Sequence, residues 1–393
     1  MSSAPAKRCL VVGLGISGLA TAIRLRQAGW EPVVVERAPG RRPGGYFVAL
    51  FGAGRAAARR LGFDHAIPDR SVPGGRTFVV SRDGARKPGL GLVDFPGDRR
   101  MMLRGDVEAA AFAALPGDVE VRYATRPTRI EQDGSGVDVT LEHDGATTTE
   151  RFDLVVGADG LRSEVRRLVF GPHEDHLHRL GYVIAALALP EPLQGIDPRH
   201  GLTLFEPGRA MWLFSFADRP QSLLFSYRTD DVDGQFTGRP ADRVRAAFGA
   251  EPPGPLLGPA LDALDTADDF LFDSVEQTRM DSWSCGRVVL VGDSAWCVGL
   301  YAGMGVSAGL AGADLLGAAL HRHPGDITGA LRWWESRLRP YVADYQRAGV
   351  NGRFFFTPDK PWQIALRPVI ARGTRLPVVG GALRFLQANS RLS

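Results

Sequence analysis

The sequence predicts an α/β fold: a parallel sheet with crossover helices, an inserted and mostly antiparallel β-sheet domain, and a C-terminal helical segment. Three observations lead there. A glycine-rich turn joins a short apolar run to a helical pattern near the start of the chain. Two further apolar runs end in an aspartate-glycine pair at 159–160 and a glycine-aspartate pair at 292–293. The stretch between them alternates aromatic and polar residues with the period of a strand.

Cys9 to Val12 is a β-type run, and Gly13-Leu14-Gly15-Ile16-Ser17-Gly18 follows it. A helical pattern then extends through Ala28 and stops at Gly29; Pro32 to Val35 is a second β-branched run ending in Glu36. This completes a Rossmann-like βαβ unit, with the acid 18 residues beyond the third glycine. The three glycines serve different ends, namely a tight turn, close approach of backbone to a pyrophosphate, and close packing of helix on strand. The helix N-terminus then faces the phosphates with unpaired N–H groups, and Glu36 accepts from an adenosine ribose.

From Ser71 to Pro96 the chain is rich in Pro, Gly and Arg, with Thr77-Phe78-Val79-Val80 as a short β-type piece, so it makes an excursion into another sheet. Met102-Leu103-Arg104 leads into a helical pattern through Ala114, with Asp106 as its N-cap. Val119 to Tyr123 and Val137 to Leu141 read as antiparallel strands around the Asp133-Gly134 turn. A buried strand then delivers Asp159-Gly160 into a turn, and Ser163 opens a short helix carrying Arg166 and Arg167.

Between Gly181 and Arg228, Trp212, Phe214 and Phe216 fall on one face of a strand, and Phe225 and Tyr227 on one face of the next. Such a stripe serves either as core or as the wall of a pocket for a flat, apolar substrate. The third glycine-rich site follows Arg287 to Val291: Gly292-Asp293, a loop, then Gly303 and Gly305 opening a helix to about Leu320. The tail from Asn351, with Phe354-Phe355-Phe356 and Trp362, reads as packed helices, a lid or a dimer surface.

Composition removes several classes. The 393 residues suffice for more than one domain, and 48 of them are glycines gathered at a few turns rather than in a repeat. A net charge of +3, from 47 basic and 44 acidic residues without a long basic run, argues against nucleic acid as partner. Cys9, Cys285 and Cys297 lack metal-ligand spacing, so reduced thiols and no metal are expected. The apolar run from Cys9 to Ile23 mimics a secretory signal, but its glycines fall where a phosphate loop needs them. The expectation is a cytoplasmic protein without a membrane partner.

Taken together, Gly13/Gly15/Gly18 with Glu36, then Asp159-Gly160, then Gly292-Asp293 resemble, in order and separation, the group A flavoprotein monooxygenases with the p-hydroxybenzoate hydroxylase fold. The resemblance runs from Cys9 to about Gln346. It implies a discontinuous FAD-binding domain of the GR2 type (1–70, 98–178 and 276–350), a substrate-binding domain (71–97 and 179–275) and a helical segment (351–393). It also implies that Gly13, Gly15, Gly18, Glu36 and Arg37 hold the ADP half of FAD and that Arg42 and Arg104 contact FAD. Asp159-Gly160 would take part in FAD binding and NAD(P)H handling, Asp293 would bind the ribityl chain or pyrophosphate, and Gly303, Met304, Gly305 and Val306 would face the flavin ring.

The implied activity uses NAD(P)H and O2 to hydroxylate or epoxidise a hydrophobic aromatic or polycyclic molecule through a flavin C4a-hydroperoxide, in secondary metabolism, as a monomer or homodimer. No protein nucleophile or metal is required. The expected substrate pocket comprises Tyr46, Trp212, Phe214, Phe225, Trp296 and Leu300. Two of these depart from the family's Gly-Asp-Ala-Ala-His pattern, in which a Pro follows four residues after the His: Trp296 stands in the His position and Leu300 in the Pro position. That departure leaves open an alternative, a FAD-retaining cyclase or isomerase in which the flavin does not oxygenate.

Overall fold

The computed structural model describes residues 6–41, 45–89, 91, 99–267 and 270–373, with side chains through Arg367. Six strands form the first sheet, in the spatial order Ser284–Cys285, Val288–Leu290, Leu154–Gly157, Arg8–Val12, Glu31–Val35, Glu120–Arg122. All neighbours are parallel except the first pair. Its central strands are continuous apolar runs, as befits a sheet covered on both faces. The helix Ile16–Gln27 packs on the helix Gly305–Arg322. A side chain at Gly309 would stand 2.5 Å from Ser17 Oγ, and one at Gly317 2.3 Å from Arg24 Cγ, so these glycines permit the helices' close approach.

The segment 119–123 was expected to pair antiparallel with 137–141. Instead Glu120–Arg122 is the parallel edge of the first sheet, beside Glu31–Val35. The antiparallel partner of Val137–His143 is Thr125–Gln132, joined through an Asp133 turn whose carboxylate accepts from Ser135 and Gly136 N–H. Pro127 and three arginines within 122–129 hid that strand from the apolar pattern. Ala146–Phe152 completes this three-stranded sheet. Phe47–Leu50 and Arg100–Leu103 form a separate antiparallel pair.

The second large sheet has seven strands, in the order Leu271–Thr278, Leu177–Ala188, Ser222–Arg228, Arg209–Phe214, Gly201–Glu206, Thr77–Val80, Arg86–Pro88. The excursion at 77–80 therefore joins this sheet, parallel to Gly201–Glu206. Trp212 lies directly opposite Leu224, and Met211 opposite Phe225, so Trp212 and Phe225 occupy opposite faces. One face packs Val183, Met211, Phe225 and Tyr227 against the helices Pro240–Phe248 and Gly254–Thr266. The other turns Tyr182, Ile184, Trp212 and Leu224 toward Leu300, Tyr301 and Phe356. The helix Ile327–Phe356 runs unbroken through 351, where a separate segment was expected to begin, and Pro361–Gly373 forms the last helix.

Candidate functional site

The three glycine turns meet at the carboxyl ends of adjacent parallel strands, the edge where open α/β sheets bind ligands. Gly13 has φ +105°, and a Cβ there would lie 2.5 Å from the Ala158 carbonyl oxygen and 2.9 Å from Asp159 Cα. A Cβ at Gly18 would lie 1.9 Å from the Gly13 carbonyl oxygen, and one at Gly292 (φ +73°) 2.3 Å from Ser17 Oγ. Gly292 and Ser17, 275 residues apart in the chain, are thus packed closely around one loop. Glu36 turns back on this loop: its two carboxylate oxygens accept from the Leu14 and Ala38 N–H groups, each at 2.9 Å.

A cavity of about 310 Å³ opens beside the turns. Gly15, Gly160, Gly303 and Gly305 line it. A Cβ at Gly160, Gly303 or Gly305 would have no atom within 4 Å, and one at Gly15 would meet only Arg104 Nη2, at 3.5 Å. Bare backbone at four points of one cavity is a cradle that side chains would fill. Neither Ile16–Gln27 nor Gly305–Arg322 has a side-chain cap at its N-terminus, so both offer unpaired N–H groups and the positive dipole end there.

Arg104 lines the cavity and is held by Glu108 at 3.0 Å, while its backbone N–H donates to Tyr46. Asp293 also lines it, open to the cleft. Burial by the surrounding protein pushes its carboxyl up, and the Arg104 guanidinium and Cys297 thiol oppose that rise. Solvent in the cleft moderates the shift. Val306 lines the wall, whereas Met304 is buried behind it. Arg37 lies exposed just beyond Glu36, and Arg42 falls outside the described residues.

Asp159 takes a different orientation from the one expected for a cofactor ligand. Its oxygens accept from Ser163 Oγ (2.5 Å) and from the Glu164 (2.7 Å) and Val165 (3.1 Å) N–H groups. It thereby ties down the helix Glu164–Val169, for which Ser163 is the N-cap. The neighbouring residues Ala158, Gly160 and Leu161 face the cavity in its place. Burial pushes its carboxyl up, against those hydrogen bonds.

Of the expected substrate-pocket residues, Tyr46, Phe214 and Leu300 line the cavity, and Phe214 stacks on Phe47 at 4.2 Å. Trp212 lies on the same sheet face but behind, covered by Phe355 and Phe356, with its Nε1 donating to the Phe356 carbonyl. Two further placements need correction. Phe225 is fully buried on the far face, edge-on to Phe248, because strand alternation sends it away from the cavity. Trp296 is buried in a cluster with Trp283 and Trp334, at 4.7 and 5.7 Å, because its short helix turns it toward Gly312 rather than the cleft. Sequence reasoning missed Phe47, Ile184, Ser222, Leu224, Asp273 and Phe356 on the wall. The period-two alternation of 182–186 and 222–226 carried part of that signal, but not the choice of face.

These residues fit FAD: the glycine turn and Glu36 would hold its ADP half, Arg104 and Asp293 its middle, and Gly303 to Val306 its ring. Comparison with known proteins supports FAD as the cofactor. A family model described as an FAD binding domain matches residues 107–324. Over 331 residues the chain is 34% identical to the uncharacterized protein Rv1260 of Mycobacterium tuberculosis, covering 80% of this chain and 85% of that one. It is 29% identical to a flavin-dependent monooxygenase of Legionella longbeachae, covering 87% and 88% of the two chains. The crystal structure of the tetracycline destructase Tet(55) superposes with a TM-score of 0.79 at 27% identity, over 94% of this chain and 95% of that one. The chain belongs to the FAD-dependent monooxygenases of the p-hydroxybenzoate-hydroxylase-like group A family.

Proposed function

We propose that this monooxygenase inserts one oxygen atom from O2 into a hydrophobic aromatic or polycyclic molecule, by hydroxylation or epoxidation, with NAD(P)H as reductant. The observation that carries the reading is the cavity's composition. From the bare backbone of Gly303 and Gly305, its wall continues through Phe47, Phe214, Leu224, Leu271, Leu300 and Phe356, an apolar lining for a flat molecule. Similarity to a tetracycline destructase supports a multi-ring substrate, and a substrate of that kind suits secondary metabolism.

FAD, when bound, supplies the electron transfer and oxygen activation. The chain's residues do the rest. The helix beginning at Gly305 directs its positive dipole end at the cavity, which favours negative charge on a reduced ring. The aromatic wall positions the substrate and excludes water. Leu300, in the Pro position of the family pattern, closes the wall between Gly299 and Gly303 with an apolar side chain.

The test is turnover of the flavin-loaded protein with NADH or NADPH and a panel of two- to four-ring aromatic compounds under ¹⁸O₂. The expected product carries one labelled oxygen, formed in proportion to reductant consumed. Product formed equally without O2 or reductant would overturn the reading in favour of a cyclase or isomerase.

A further inference from the structure

Four charged side chains line the cavity among the described residues: Arg104, Asp273, Glu276 and Asp293. Arg104 and Asp293 flank the glycine turns. Glu276 is almost wholly buried, its carboxylate held by Arg162 at 3.1 Å and by Ser274 Oγ at 2.5 Å. Asp273 differs from all three. It lies directly opposite Ile184 on the strand Leu271–Thr278, so it shares the cavity face with Ile184, Ala186 and Leu271.

Its hydrogen bonds are one-sided. Ser274 N–H (2.8 Å) and Arg162 Nη2 (3.4 Å) both donate to Oδ1, while the single Ser274 hydroxyl proton goes to Glu276. Among the described residues Oδ2 accepts nothing. The side chain keeps 37% of its surface exposed. A carboxylate oxygen left without a donor on an apolar wall is costly to desolvate, so whatever enters the cavity must supply a donor or lose affinity. Arg162 is shared with Glu276 and reaches only Oδ1, and the apolar wall around Asp273 favours a neutral donor over a cation that would itself have to be desolvated.

We propose that Asp273 is a specificity-determining residue that accepts a hydrogen bond from a hydroxyl group on the ring substrate. The inference rests on the oxygenase reading above and adds to it the side chain that reads a ring hydroxyl, placed on the edge strand of the seven-stranded sheet. Arg162, in the turn after Gly160, is the positioning residue: it donates to Oδ1 at 3.4 Å and to Glu276 at 3.1 Å, and leaves Oδ2 without a donor among the described residues.

The test measures dissociation constants for 2-naphthol, 2-methoxynaphthalene and protonated 2-naphthylmethylamine, followed by perturbation of the bound flavin's absorbance in the holoenzyme. The expected result is 2-naphthol binding about tenfold or more tighter than the methoxy compound, the contribution of a hydrogen bond to a charged acceptor, and tighter than the amine. Asp273→Leu should bring naphthol and its ether within about twofold of each other by weakening the naphthol alone, with Asp273→Asn between. The inference is overturned by equal wild-type affinity for naphthol and ether, by preference for the amine, or by a naphthol preference that survives in Asp273→Leu. If the leucine variant loses its flavin, the wild-type ratio and Asp273→Asn still decide. Equal binding of naphthol and ether would remove this inference alone; failure of all three probes to bind would remove the aromatic-substrate reading with it.

Discussion

Gly13 and Gly305 make opposite demands on a methyl group. Alanine at 13 would need φ +105° and would drive its Cβ to 2.5 Å from the Ala158 carbonyl oxygen. Gly13→Ala should therefore cost about 3 kcal/mol or more and abolish flavin retention, read by chemical denaturation and flavin absorbance. Gly305 opens a helix in ordinary backbone geometry, with free space where a Cβ would stand. Gly305→Ala should leave stability unchanged or raise it by about 0.5–1 kcal/mol, while weakening FAD binding about tenfold or more. Trp296→Ala should cost about 3–5 kcal/mol as a core truncation yet leave substrate KM unchanged in the protein that remains folded. A raised KM at unaltered stability would return Trp296 to the pocket. The three glycines and Glu36 were legible in the sequence because they act through the backbone, in a pattern confined to a few neighbouring positions. Trp296 and Phe225 were not, because periodicity marks them as inward without saying which interior receives them.

At the scale of elements, the helix Arg104–Ala113 shows how local chemistry can be right while its geometry is displaced. Asp106, read as the N-cap, sits in the first turn, and its carboxylate accepts from the Leu103 N–H at 2.8 Å and from Arg70 at 2.7 and 2.8 Å. Burial alone would raise this carboxyl; those hydrogen bonds outweigh it and hold the group below its ordinary range. A carboxylate depressed on folding contributes stability above its unfolded value of roughly 4 and loses it as pH falls through the folded value. Melting curves of wild type and Asp106→Asn should stay apart at pH 5–7 and converge as pH drops below about 4. A gap independent of pH would show that the Arg70 contact contributes nothing through charge. The edge strand Glu120–Arg122 was misassigned for a related reason: three residues flanked by charge carry no periodicity, and only pairing with Glu31–Val35 defines them.

At the scale of the molecule, the second sheet is tied to the rest through a small polar network. Ser226 Oγ, Tyr301 OH and Thr357 Oγ1 are all buried, with Ser226 at 2.6 Å from Tyr301 and 2.8 Å from Thr357. It links a strand of the seven-stranded sheet, the loop before Gly303 and the end of the helix Ile327–Phe356 in one contact. Tyr301→Phe should cost about 1–3 kcal/mol in equilibrium unfolding, because it leaves buried hydroxyls short of a partner. The parallel sheet and its turns were readable from glycine spacing and apolar runs, whereas the packing of helix ends on the second sheet depends on contacts more than 50 residues apart in the chain. The central claim is that three glycine turns, distant in sequence, close around one flavin. Its most direct test is titration of the deflavinated protein with FAD, followed by quenching of flavin fluorescence. Saturation at one FAD per chain is expected, with binding lost in Gly13→Ala and weakened in Arg104→Ala. Absence of saturable binding in the folded wild-type protein, or affinity unchanged in both variants, would contradict it.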